Sequence, residues 1–245
     1  MTAASFAPEL LAAAVAIAAL AGVVRGITGF GGALVMTPPL ALLFGPALTV
    51  PAVLLLESVA ATPMLVQTRR HVRWRVIGPI LAAACVTLPL GGYVLATADP
   101  QVLRRAIAAI VIVFSLLLLR GWRYAGRPRL GTSIGLGALS GAMAGATSIG
   151  GPPVILYLLS GPDGIETTRA NLTLFVAAVS LAAIVMLWAG GLLGAAAAWT
   201  GLALAPGYYG GLILGTRAFA RFNDTRFRQF TLCLLIAVSA GILFA

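Results

Sequence analysis

Lysine is absent from this sequence, and acidic residues number only six among 245. Charged residues of all kinds make up 9% of the chain, whereas a soluble domain carries about 25% to cover a water-facing surface. That shortage excludes an ordinary soluble globule and makes lipid the solvent. One histidine and two cysteines, Cys85 and Cys233, are far apart and lack CxxC spacing. They are too few for a metal centre or a disulfide framework, and cysteines within apolar runs read as buried, inert thiols. HExxH, paired intramembrane aspartates and a Ser/His pair within one span are all missing. Their absence removes the usual hydrolytic designs, so the chain reads as no enzyme, with no catalytic residue, no metal and no cofactor.

What is present is apolar. Hydrophobic residues reach 60% and mean hydropathy is +1.04, with 29 glycines and 14 prolines. Long apolar runs without period-two alternation point to membrane helices, not to a barrel. Glycine lets such helices approach closely, and neighbouring helices make proline tolerable. All sixteen basic residues are arginine and the net charge is +10. They cluster in short loops between apolar runs, the positive-inside pattern, so lipid rather than nucleic acid is the expected contact. The first 24 residues are as apolar as a signal peptide, but MTAASFAPEL carries no positive n-region, so they are expected to be retained.

The chain reads as two copies of one plan. GVVRGITGFGGALVM (22–36) aligns with GAMAGATSIGGPPVI (141–155) at a constant offset, and the same offset pairs Gly91-Gly92 with Gly210-Gly211. With small gaps, Gly45-Pro46 meets Gly161-Pro162, and LRRAIAAIVI (103–112) meets FRQFTLCLLI (227–236). The first repeat, 1–125, is read as a broken hairpin 6–44 and helices 47–66, 76–97 and 102–119; the second, 126–245, as a broken hairpin 131–160 and helices 167–188, 192–215 and 227–244. The expected fold is therefore all-α and polytopic, one membrane domain in which each repeat has a re-entrant hairpin plus three spanning helices. Loops 67–75, 120–130 and 216–228 carry four arginines each and belong in the cytoplasm. That assignment inverts the second repeat relative to the first and leaves both termini outside. Inverted repeats with interrupted helices are a pointer to secondary transporters.

Chemistry is expected at the two glycine-rich breaks, Thr28-Gly29-Phe30-Gly31-Gly32 and Thr147-Ser148-Ile149-Gly150-Gly151. Backbone N–H groups there lack helical partners, and the helices that follow turn positive dipole ends toward them. Hydroxyls of Thr28, Thr147 and Ser148 add donors. Gly22, Gly26, Gly137, Gly141 and Gly145 have the spacing of helix-packing positions instead. Arg25 beside the first break could pair an anion, snorkel, or neutralise Glu57; Asn171 and Thr173 could line the path or bond across helices. Glu57 lies mid-span, where a carboxyl is costly and a functional candidate by default; proton coupling is the role expected of it. Tyr208 and Tyr209 need hydroxyl partners within their span. Trp74, Trp122, Tyr124, Trp188 and Trp199 sit near span ends and suit interfacial anchoring. His71 reads as a solvated or headgroup-facing side chain.

The paired motifs G-I-T-G-F-G-G and G-A-T-S-I-G-G-P-P, with L-G-G-Y-V-L-A followed by R-R and G-G-L-I-L-G-T-R-A-F followed by R-F-R, resemble the TauE/SafE family over essentially the whole chain. The resemblance implies secondary transport of sulfite, thiosulfate, sulfoacetate or a related organosulfur or carboxylate anion across a bacterial inner membrane, mostly outward, and is compatible with proton coupling. Ala33-Leu34 in place of Pro152-Pro153 departs from strict equivalence of the two motifs. A passive anion channel is the alternative function. Oligomeric state stays open, with a homodimer as one option.

Overall fold

The computed structural model describes residues 7–121, 129–158, 164–218, 236 and 239–240. Every regular element among them is helical: α1 (Pro8–Thr28), α2 (Gly32–Phe44), α3 (Pro46–Thr68), a 3-10 turn (Arg69–His71), α4 (Trp74–Thr97), α5 (Pro100–Leu119), α6 (Leu130–Thr147), α7 (Gly151–Leu158), α8 (Ile165–Ala189) and α9 (Ala195–Ala218). α1, α3, α4, α5 and α8 are long and apolar enough to cross a membrane. The protein is a multi-pass helical membrane protein, as composition required. The expected span 227–244 lies outside the described residues except for 236 and 239–240, and the expected span 192–215 is displaced to 195–218.

Local chemistry sets the helix ends. Pro8 and Pro100 occupy first-turn positions where a missing N–H costs nothing. The Asp99 carboxylate caps α5, accepting from the Gln101 and Val102 amides at 2.8 and 3.2 Å. α1 stops at Gly29, whose left-handed φ of 79° lets its N–H reach the Arg25 carbonyl at 2.8 Å.

Two helix pairs form the tightest contacts, α1 with α9 and α4 with α6, and each joins residues distant in sequence. Small residues make both possible. A Cβ on Gly22 or Gly26 would collide with the backbone of α9 near Tyr208 and Leu212; one on Gly141 or Gly145 would collide with α4 near Ala84 and Leu88. Gly207, Gly211 and Gly215 reciprocate against Val15, Ala19 and Val23 of α1. Without a hydrophobic drive between helices in lipid, such backbone approach carries the association. Thr87 adds a bond across the second pair, its hydroxyl donating to the Ala138 carbonyl at 2.8 Å. The glycine content that fits α6 and α9 for packing also lowers their hydropathy, which is why neither counts among the five apolar spans.

One expectation is corrected. Cys85 is a free, exposed thiol on α4, not a buried one; it shares that helix's outer side with Val86, Leu90 and Tyr93, which are also exposed. An apolar run in a membrane protein has a lipid face as well as a core face, and sequence alone did not separate them. Cys233 lies outside the described residues. Trp74, Trp188 and Trp199 are exposed, as anchors should be.

Gly211→Ala is expected to cost about 1–3 kcal/mol by overpacking, whereas Gly210→Ala, which has open space around it, is expected to be neutral or slightly stabilising. Thermal unfolding of the two variants in one detergent makes the comparison; equal melting temperatures would remove the packing role.

Candidate functional site

Both chain breaks are real, and they meet. α1 ends at Thr28 and α2 restarts at Gly32; α6 ends at Thr147 and α7 restarts at Gly151. The corner residues adopt the same conformation, Gly29 at φ 79°, ψ −2° and Ser148 at φ 59°, ψ 1°. Ser148 is the single non-glycine residue at positive φ among the described residues, a conformation that costs a side-chain-bearing residue about 1–2 kcal/mol. Its hydroxyl shows why serine is held there: Oγ lies 2.8 Å from Thr37 Oγ1 of α2 in a buried contact, which ties the second break to the helix that follows the first.

A cavity lies where the breaks converge. Arg25, Phe30, Gly31 and Glu57 line it from one side, Ser148, Ile149, Gly150 and Gly151 from the other, and Phe175, Val179 and Ser180 of α8 close it. Its volume is about 40 Å³, against about 10–15 Å³ for one water on the same measure. That is room for a few waters or one small oxyanion.

Two charged side chains line it, the Arg25 guanidinium and the Glu57 carboxylate. Arg25 is 1% exposed. Its Nη1 makes an ion pair with Glu57 Oε2 at 3.1 Å, a contact not aligned as a hydrogen bond. Nε and Nη2 are buried without a partner among the described residues. These two atoms form the parallel, side-on edge of the guanidinium, the edge that receives a carboxylate or sulfur oxyanion bidentately. Glu57 Oε1 accepts the Tyr208 hydroxyl at 2.8 Å, and Tyr209 donates to the Leu56 carbonyl at 3.1 Å. A Cβ on Gly32 would run into both Glu57 and Tyr208, so the carboxyl sits against the first turn of α2, where the helix dipole favours negative charge.

The expected site residues divide on this geometry. Arg25, Phe30, Gly31, Ser148, Gly150, Gly151 and Glu57 stand on the cavity wall. Gly32 lies just behind it, and Gly29 faces the Arg169 side chain instead. Thr147 is committed to the backbone, donating to the Met143 carbonyl at 2.7 Å and accepting from the Ile149 amide at 3.2 Å, so it caps the break and has no hydrogen left for a ligand. Asn171 belongs elsewhere: its Oδ1 accepts from the Arg73 amide at 2.9 Å at the start of α4. The side chain of Thr28 is outside the described part of the structure. Sequence reasoning missed Thr37, Phe175, Ser180 and Arg169. Thr37 adjoins the Pro38-Pro39 pair, but nothing in its spacing announces a contact 111 residues away.

Among protein families, the one described as Sulfite exporter TauE/SafE matches residues 14–242. The chain belongs to the TauE/SafE family. The family is one of membrane exporters of sulfur anions and not of enzymes, so the protein is a membrane transport protein. No curated protein and no solved structure matches the chain. Within this family membership, the cavity between the breaks is the candidate place for the anion.

Ser148→Ala retains the left-handed corner and loses the Thr37 contact; Ser148→Gly loses the same contact and relieves the backbone. The glycine variant is therefore expected to be more stable than the alanine variant by about 1 kcal/mol, read from paired melting curves. Indistinguishable curves would mean that the corner relaxes without cost.

Proposed function

We propose that this TauE/SafE protein is a secondary transporter that moves one small oxyanion at a time, sulfite, thiosulfate, sulfoacetate or a related organosulfur or carboxylate anion, by alternating access. The observation that carries the reading is the buried Arg25 guanidinium, with one edge on Glu57 and its side-on edge unpartnered at the meeting of two helix breaks. A permanent charge in that position costs several kcal/mol unless a counter-charge completes it. The amides of the breaks are further donors for a bound oxyanion, whereas the Ser148 hydroxyl donates to the Thr147 carbonyl and meets Thr37. Glu57 is the proton-coupling residue of this scheme. Ionised, it holds half of Arg25; protonated, it releases the guanidinium and the anion becomes the counter-charge.

Two inverted repeats, 1–125 and 126–245, would provide the moving parts. Support comes from like-for-like packing: Gly22 meets Tyr208 and Gly26 meets Leu212, as Gly141 meets Ala84 and Gly145 meets Leu88. In this register Gly91, against Ala142, answers Gly215, against Val23, and not the Gly210 chosen by sequence offset. Each tight pair thus takes one helix from each half. In a bacterial inner membrane, loops 67–75, 120–130 and 216–228 would be cytoplasmic and the termini external. The 3.6 Å contact between His71 and Glu166 brings the arginine-rich loop and the start of α8 to one end of the bundle, in keeping with that orientation.

Thermal stabilisation of the purified protein by sulfite, thiosulfate, sulfoacetate and small carboxylates tests the reading. At a hundredfold excess over Kd the wild type should gain about 2.7 kcal/mol. Arg25→Lys, which replaces a planar fork by a point charge, should weaken binding about tenfold. Arg25→Gln alone leaves Glu57 unpaired and should cost about 3–5 kcal/mol of stability; Arg25→Gln/Glu57→Gln should recover stability but not the response to anions. An anion response that survives in the double variant overturns the assignment.

A further inference from the structure

We propose that Ser180 of α8 is a specificity-determining residue whose hydroxyl donates to a third oxygen of the bound anion, so that the site favours a three-oxygen head on a small apolar remainder over a two-oxygen head. The proposal rests on the anion reading above and adds to its guanidinium and amides one donor from α8.

Four polar side chains line the cavity: Arg25, Glu57, Ser148 and Ser180. Three of them are engaged within the protein. Arg25 meets Glu57, Glu57 accepts from Tyr208, and the Ser148 hydroxyl donates to the Thr147 carbonyl and meets Thr37. Ser180 differs. It is 4% exposed, and among the described residues its hydroxyl has no hydrogen-bond partner. A helix hydroxyl ordinarily bonds a carbonyl of its own preceding turn. Ser58, Thr62, Thr97 and Thr200 of this chain all do so, on Leu55, Ser58, Tyr93 and Ala196. Thr49, Ser115 and Ser140 are also buried without a partner, but they do not line the cavity. Ser180 thus combines an unspent hydrogen with a place on the wall.

The helix brings it there. Phe175, Val176, Val179 and Ser180 fall on one face of α8 at helical spacing, and that helix packs along α3, which carries Glu57. In a cavity of about 40 Å³ a ligand held by Arg25 also reaches this face. The Nε and Nη2 edge of Arg25 is unpartnered and takes two oxygens side by side. A sulfite or sulfonate head has a third oxygen outside that plane; a carboxylate or a sulfinate has none. Buried without a donor, the third oxygen would be costly, and the Ser180 hydroxyl supplies the donor. Phe30, Leu54, Ile155, Phe175 and Val179 leave the rest of the wall apolar, which suits a methyl-sized remainder.

Methanesulfonate and methanesulfinate test this, because both are monoanions at neutral pH and they differ by one oxygen. Affinities for the full-length protein in detergent are read from thermal stabilisation. Ser180→Ala should lower the ratio of sulfonate to sulfinate affinity by roughly ten- to hundredfold, through the sulfonate alone. The melting temperature without ligand should stay level or rise slightly, since the lost hydroxyl had no partner. Should the alanine variant not fold, Ser180→Cys, near in shape and a weak donor, carries the same test with a smaller change in the ratio. Equal weakening of both anions, as from a hydroxyl that only holds a water or the helix, or no weakening of either, overturns the role of Ser180 and leaves the anion site standing. A wild type that responds to sulfite but to neither probe overturns the inference alone. Silence toward sulfite, thiosulfate and both probes overturns the anion reading with it.

Discussion

A guanidinium cannot shed its charge, and Arg25 carries one into the interior of a membrane bundle with 1% of its surface exposed. The surroundings of that side chain answer this constraint. Glu57 neutralises it from α3, Tyr208 steadies Glu57 from α9, and α2 starts with a glycine because no larger residue leaves space for the pair. A buried ion pair is weak evidence for stability. In the proposed transport scheme it is a standing cost that a bound anion would relieve.

The two breaks solve one geometric problem with different residues. Each uses a left-handed corner to end one helix before the next begins. Glycine does this at 29 and leaves room for Arg169, whereas serine does it at 148 and gains a hydroxyl contact with Thr37. Electrostatics separates them further. The helix after the first break already has a carboxyl of the protein at its positive end; the helix after the second has none among the cavity-lining residues. The asymmetry gives the cavity a direction, with the protein's own acid on one side and the hydroxyl and amides of the second break on the other.

Much of this was legible in the sequence, and for identifiable reasons. Helix class and both breaks follow from apolar run length and glycine placement, which are local properties. The packing glycines at 22, 26, 141 and 145 were readable because close approach demands a small residue at helical spacing. Partnerships were not. Arg25 and Glu57 each carried several readings, because a run of sequence does not say which helix lies opposite. Thr147 and Asn171 show the same gap: the sequence does not say that the Thr147 hydroxyl bonds its own backbone, or that Asn171 Oδ1 accepts from the Arg73 amide. Cys85 shows the third gap, between a core face and a lipid face of equal hydropathy.

The pairing of α1 with α9 has a consequence for synthesis. α1 packs on α9, so it cannot find its mate until residues 195–218 have been made. A nascent chain halted before residue 195 would therefore lack the helix against which Gly22 and Gly26 of α1 pack.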